Sequence, residues 1–403
     1  MKKIINGYNS INIFIKMGIG LLLGVGLAFV ANNTSIDLSG ISIFGTLFIQ
    51  ALKAIAPILV LFLVITAISN HKEGGSSNIK RVIMLYIIGT LIAAMVAVTA
   101  SFLFPIDIPL GNVTEVESSA PQSLVEILNN ILLSIVANPV TALTEANYLG
   151  ILFWSVLLGL ALRKANETTK NIMADIADGI SMLVKWVVSF APFGIMGIVF
   201  TTASEDISSL FNYGGLILLL VGTMLFMALV VNPLIVLILT RENPFPLVFA
   251  TIKESAITAF FTRSSAANIP VNLELCKKLN LNEDTYSVSI PLGSTINMGG
   301  AAITITILTL AAVHTLGMKV DITTALILSV LAAISACGTS GVAGGSLLLV
   351  PIACSLFGID ESTAAAVMGA GFTVSIIQDS LETAINSSTD VLYTAIAEKM
   401  KKN

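Results

Sequence analysis

Residues Gly369–Ala397 read GAGFTVSIIQDSLETAINSSTDVLYTAIA. As a helix, this stretch places Ser375, Asp379, Glu382, Thr383, Asn386 and Asp390 on one stripe. Steps of three, four, seven and eleven residues from Asp379 all return to one face. The other faces carry Phe372, Val374, Ile377, Leu381, Ile385, Val391 and Leu392. A carboxylate near the centre of a lipid-spanning helix costs about 2.5–3.5 kcal/mol on insertion scales. A helix with Asp379, Glu382 and Asp390 must therefore turn that stripe toward water, cations or polar groups of other segments. Two readings fit: a polar seam that locks helices together, or a binding site for a cation and an amine-bearing solute.

The rest of the 403-residue chain is consistent with a membrane setting. It is 55% hydrophobic and only 11% charged, where soluble domains carry about 25% charged residues. A polytopic, all-α membrane protein is expected. Cys276, Cys337 and Cys354 lack CxxC spacing and read as packing residues. His71 and His314 form no metal pattern. There is no GxxxxGK[ST] element, so ATP-driven transport within this chain is not expected, and no Ser-His-Asp or zinc pattern suggests an enzyme. No cofactor and no nucleic-acid partner is expected.

Apolar spans are predicted over Ile13–Ala31, Ile43–Ser69, Val82–Phe104, Ser123–Leu162, Ile172–Thr202 and Gly214–Leu239. The fourth is too long for one upright crossing and is expected to break near Pro139–Tyr148, after an interfacial helix. The fifth is interrupted by Pro192. Basic residues follow the second, fourth and sixth spans (Lys72, Lys80 and Arg81; Arg163 and Lys164; Arg241) and fill the tail at Lys399, Lys401 and Lys402. The positive-inside rule then puts both termini in the cytoplasm.

Beyond Arg241 the simple alternation stops. Residues 243–278 hold two short apolar pieces around Thr262–Asn268, with basic residues at both ends. A re-entrant hairpin fits, and so does a cytoplasmic amphipathic helical pair. The segment from Tyr286 to Leu316 carries Gly293-Ser294-Thr295-Ile296-Asn297-Met298-Gly299-Gly300. It predicts either a broken helix whose freed carbonyls suit sodium, or close packing through small residues. Thr323–Phe357, glycine-rich from Cys337 to Ser346, reads as a second hairpin entering from outside. Two interrupted hairpins, each followed by a membrane helix, form the inverted-repeat pattern of a secondary transporter.

Thr262-Arg263-Ser264-Ser265, Pro291–Gly300, Gly338-Thr339-Ser340-Gly341-Val342 and Asn386-Ser387-Ser388-Thr389-Asp390 together resemble the dicarboxylate/amino acid:cation symporter family, which includes the glutamate transporters. The likeness is greatest to its bacterial serine/threonine:sodium members. The resemblance implies an elevator-type fold of eight transmembrane helices plus two re-entrant helical hairpins, assembled as a homotrimer in the bacterial inner membrane. Residues 1–81 and 123–212 would be scaffold. Residues 82–122 and 213–403 would move with the cargo. The implied function is sodium-coupled uptake of serine and threonine. Alternatives are sodium- or proton-coupled transport of another small neutral amino acid or a dicarboxylate, or an ion channel.

Carried over by motif, Asp379 would bind the substrate ammonium and Asn386 its carboxylate. Ser264 and Ser265 would supply backbone N–H groups at the first hairpin tip. Thr339, Gly341 and Val342 would form the second tip. Asp390 with the carbonyls of Gly293, Asn297 and Asn386 would hold one sodium ion, and the carbonyls of Thr295, Met298 and Thr339 another. Two departures from the pattern matter. Glu382 stands where acidic-substrate members have an arginine, which disfavours a dicarboxylate; Glu382 or Thr383 could meet a substrate hydroxyl. Gly299 and Ala301 replace an aspartate and a threonine that build an extra sodium site, so fewer coupled ions are expected.

Overall fold

The computed structural model describes residues 13–34, 36–69, 77–110, 133, 135–145, 147–205, 210–339 and 344–400. The basic segment at His71 and Lys72, the interfacial helix expected after Ser123, the hairpin-tip residues Gly341 and Val342, and the tail lysines Lys401 and Lys402 lie outside them. Among the described residues there is no strand, as the apolar runs predict.

The first half of the chain forms α1 (Ile13–Asn33), α2 (Ser42–Ser69), α3 (Ser77–Leu103), α4 (Pro139–Thr144), α5 (Tyr148–Leu162), α6 (Glu167–Ser189) and α7 (Ala191–Glu205). Asn138 and Asn147 cap α4 and α5 through their side chains, which produces the break expected near Pro139–Tyr148. Helices α6 and α7 meet at 49°, next to Pro192, whose missing N–H cannot continue the ladder. Helix α1 packs along α7, and α2 lies against α5, α6 and α7. The α2–α7 contact depends on absent side chains: a Cβ on Gly197 would lie 2.3 Å from Gly45 N.

In the second half, α8 (Leu210–Phe226) continues through a π-helical turn, Met227–Val231, into α9 (Asn232–Thr240). Then α10 (Phe245–Thr251), a second π turn (Ile252–Ala256) and α11 (Ile257–Thr262) form one arm of a hairpin. Its other arm, α12 (Ile269–Lys278), returns against Ile252–Ala256. Helices α13 (Glu283–Ile296) and α14 (Gly299–Thr315) are the two halves of a helix broken at Asn297–Met298. A second reversal joins α15 (Ile322–Ala336) to α16 (Val350–Ser355). The chain ends in α17 (Glu361–Lys399).

Among the described residues six helices are long and apolar enough to cross a membrane, and the bent α6–α7 pair would make a seventh. These include the first hairpin arm at Phe245–Thr262 and the broken helix at Glu283–Thr315. Apolar side chains on α1, α6 and α8, such as Leu22, Trp186 and Leu218, are exposed, as suits helices facing lipid. Helix α17 is the opposite case. It packs on α3, α8, α11, α13, α14 and α16 and is buried nearly all round.

That helix is longer than the sequence reading proposes. It starts at Glu361 rather than near Gly369, because Asp360 accepts hydrogen bonds from the Ser362 and Thr363 amides at 2.8 and 3.0 Å, a side-chain N-cap. Its 39 residues extend about 58 Å at 1.5 Å per residue. Most of its apolar side chains meet protein, with Phe372, Val374, Val391 and Leu392 all buried, whereas Ile377 is exposed.

Candidate functional site

The polar stripe on α17 is sealed within the protein. Asp379, Glu382, Thr383, Asn386 and Asp390 are each no more than 7% exposed. Both hairpins and the break between α13 and α14 converge on it. The partners divide the stripe into three sets.

At Asp379 the two hairpins meet. Nη2 of Arg263, at the tip of the first hairpin, pairs with Asp379 Oδ2, and both side chains are almost fully buried. The other carboxylate oxygen accepts the Gly344 N–H, at 3.3 Å, from the second hairpin. Arg263 takes a left-handed backbone conformation (φ 50°) and ends α11 by donating its N–H to Ala259 O, as αL helix caps do. Ser264 Oγ accepts the Ala267 N–H at 3.2 Å, and the Ser264 and Ser265 carbonyls both accept the Asn268 N–H. These bonds fix the tip.

Glu382 sits one turn further on. Its Oε2 accepts hydrogen bonds from Thr304 Oγ1 at 2.8 Å, from Ser346 Oγ at 2.7 Å and from the Gln378 amide. Three neutral donors from α14, the second hairpin and α17 itself thus stabilise one buried carboxylate oxygen. Thr383, by contrast, donates its hydroxyl to the Asp379 carbonyl of its own helix. The two candidates for meeting a substrate hydroxyl therefore differ: Thr383 is engaged with the backbone, whereas Glu382 is the hub of a side-chain network.

The third set surrounds the helix break. Asn386 Oδ1 accepts the Gly300 N–H at 2.7 Å, which leaves its Nδ2 as the amide's donor side. Asn297 Nδ2 reaches Asp390 Oδ1 and Thr389 Oγ1, both at 2.8 Å, and Asn386 O at 3.2 Å. Gly293 must be glycine for this approach, since a Cβ there would lie 2.5 Å from Asp390 Oδ1. Asp390 is fully buried, yet its Oδ2 has no hydrogen-bond partner among the described residues. A buried carboxylate oxygen left in this state is strongly disfavoured unless a cation or water meets it. A buried carboxylate oxygen beside the unwound backbone of a helix break suits a hard, oxygen-seeking cation. Among the described residues no group of three or more His, Cys, Asp or Glu side chains could hold a transition metal.

Of the second ion set, Met298 lies in the break with φ −118° and ψ 48°, while Thr295 belongs to the end of α13. Cys337 Sγ donates to Ile296 O at 3.5 Å, so the end of α15, with Thr339 just beyond it, lies beside the same break.

Sequence reasoning put Ser264 and Ser265 at the site but passed over Arg263 beside them. The signal was present: a base within an apolar segment needs an acid. Thr304, Ser346 and Gln378 carried no comparable signal, because single hydroxyls and amides in apolar helices are common packing residues. Tyr86 was also missed. Its hydroxyl lies 3.1–3.2 Å from Ser289 O, Asp390 O and Thr394 Oγ1 and ties α3 to α13 and α17.

A model of the sodium:dicarboxylate symporter family matches residues 10–400. The serine/threonine transporter SstT of Streptococcus agalactiae serotype III (strain NEM316) is 55% identical over 400 residues, covering 99% of this chain and 98% of that relative. The protein of the same name from serotype Ia (strain A909) is equally similar over the same extent. With a broken helix, two helical hairpins and a sealed acidic stripe already on the structure, matches that run nearly end to end show that this chain, a multi-pass membrane protein, belongs to the sodium:dicarboxylate symporter family.

Proposed function

We propose that this protein is a sodium-coupled symporter that brings serine and threonine into the cell. The observation that carries the reading is Asp390 Oδ2, a buried carboxylate oxygen without a hydrogen-bond partner among the described residues, at a helix break inside a membrane protein. The substrates follow the names of the two bacterial relatives. Glu382 supports them: a second buried acid three residues from Asp379 opposes the extra negative charge of a dicarboxylate. A neutral zwitterion meets less opposition.

In this reading Asp379 takes the substrate ammonium. Asn386 Nδ2 and the N–H groups at Ser264 and Ser265 take its carboxylate. Thr339, Gly341 and Val342 close the second side. One sodium ion lies between Asp390 and the carbonyls of Gly293, Asn297 and Asn386; another lies among the carbonyls of Thr295, Met298 and Thr339. Asn297 links ion to substrate, because its Nδ2 bonds both Asp390 and the Asn386 carbonyl. A cation that fixes Asp390 therefore also fixes the residue next to the substrate. Gly299 and Ala301 supply no side-chain oxygen, so fewer ions are carried than in relatives with an acid there.

The same reading takes the two reversals as re-entrant hairpins among eight crossings, with both termini in the cytoplasm of a bacterium. Helices α1, α2 and α4–α7 belong to a trimeric scaffold, and the remainder moves with the cargo. No catalytic chemistry and no cofactor are involved. Labelled serine uptake into proteoliposomes tests the reading. Uptake is expected only with an inward sodium gradient, and unlabelled threonine should inhibit it more than alanine or glutamate does. Sodium-independent flux, or stronger inhibition by glutamate, would refute it.

A further inference from the structure

We propose that Arg263 is a built-in competitor for the amine site: its guanidinium neutralises Asp379 whenever a substrate ammonium does not, and the two cations exchange on one carboxylate. The inference rests on the reading of Asp379 as the ammonium partner. It goes further by giving that carboxylate a second, tethered ligand.

The observations are geometric. The Arg263 and Asp379 side chains are 7% and 5% exposed and form a direct ion pair between the first hairpin and α17. A buried carboxylate is costly without a positive partner. Any amino acid that uses Asp379 must therefore replace Arg263 or share the carboxylate with it. The backbone of Arg263 is fixed by the helix cap and by the bonded turn at Ser264–Asn268, so only its side chain has freedom to leave. It also has somewhere to go. Thr262, Ala266 and Ala267 around it are exposed, which opens the tip to a displaced guanidinium.

The exchange balances in charge. The pair Asp379–Arg263 plus a zwitterion becomes Asp379–ammonium plus a released guanidinium and a carboxylate, which are themselves complementary. Asp379 keeps its bond from the Gly344 N–H throughout. The second acid, Glu382, stays occupied by Thr304, Ser346 and Gln378. Arg263 thus sets affinity by competing, and it spares the carrier from moving a bare carboxylate when no amino acid is aboard.

The sign of one measurement separates a competitor from a support. An internal ligand that leaves Asp379 available about one-tenth of the time raises the apparent Kd about tenfold. Binding of serine, threonine, alanine and aspartate to the purified full-length protein at saturating sodium is compared for wild type, Arg263→Gln and Arg263→Lys. The expected result is a Kd for serine about tenfold lower in Arg263→Gln, with Arg263→Lys between it and wild type. In proteoliposomes Arg263→Gln should keep serine–serine exchange while losing most net uptake. An unchanged or higher Kd in Arg263→Gln, or a parallel loss of exchange and net uptake, overturns the proposal. If Arg263→Gln does not fold, Arg263→Lys decides alone, since its weaker, non-bidentate pair must still bind serine more tightly than wild type does. A wild-type protein that binds no serine refutes the functional reading instead, and the ranking of variants is then read with whichever of the four amino acids it does bind.

Discussion

Adding one methyl group at Gly293 should weaken sodium binding without replacing a side-chain ligand. A Cβ at this position would lie 2.5 Å from Asp390 Oδ1, 2.8 Å from its carboxyl carbon and 2.9 Å from the Tyr86 hydroxyl. Contacts that short force something to move. Tyr86 is held by Ser289, Asp390 and Thr394, and Asp390 Oδ1 by Asn297 at 2.8 Å. The displaced group must therefore break at least one buried hydrogen bond. Overpacking of this kind costs about 1–3 kcal/mol. If that cost falls on the ion-bound geometry, the sodium concentration for half-maximal serine uptake rises about 5- to 150-fold, at 1.4 kcal/mol per factor of ten. Gly299→Ala is the matched control. Among the described residues its Cβ would meet Ala93 Cβ alone, at 3.4 Å, an ordinary contact, and its sodium dependence should stay within about twofold of wild type. Uptake into proteoliposomes is measured across sodium concentrations for both variants, with size-exclusion profiles as the folding check. A well-folded Gly293→Ala protein with wild-type sodium dependence would refute the assignment of Asp390 as an ion ligand.

Asp379→Ala should abolish serine uptake and also lower thermal stability, because it removes the carboxylate that pairs with the buried Arg263, a loss of about 3–5 kcal/mol; the double variant with Arg263→Ala should recover stability but not uptake. Asn268→Ala removes the donor that reaches Ser387 Oγ at 2.8 Å and Ser255 Oγ at 3.1 Å. It should destabilise the first hairpin by about 1–3 kcal/mol, seen as a lower melting temperature and easier proteolysis within residues 245–278. The Asp360 cap should fail in acid. Burial opposes its ionisation, but hydrogen bonds from Ser362 and Thr363 outweigh that and hold its pKa at about 2, below the ordinary 3.8. A depressed carboxylate pKa stabilises the folded state above the unfolded value, and the contribution is lost as pH falls from 3.8 toward 2. Wild type should therefore lose stability through that window more steeply than Asp360→Ala, as thermal melts at stepped pH would show.

Much of this architecture can be read from the sequence because the membrane restricts the choices. Apolar runs have to be helices, and Asp379, Asn386 and Asp390 on one face had to be shielded from lipid. Asn297-Met298-Gly299-Gly300 allowed either a break or close packing through small residues, and the structure shows the break. What stayed hidden depends on pairing across distance. Arg263 and Asp379 are separated by 116 positions, and no local pattern assigns one to the other. The start of α17 was missed for a local reason. Ala364–Gly371 is a weakly patterned run of small residues, and the helix signal lies upstream in Asp360, Ser362 and Thr363. Glu382 could be recognised as a departure from a basic residue, but its three donors come from separate segments and only the folded chain names them.

The burial of α17 has one more consequence. A charged strip wrapped along its whole length by its own chain brings its dielectric with it. If the wrapped bundle shifts across the bilayer, neither acid has to shed or regain a coat on the way, because the oxygens and amides around Asp390 and Glu382 travel at fixed spacing. The work of translocation then falls on the outer skin, where greasy surfaces slide past one another, and hardly at all on the cargo chamber.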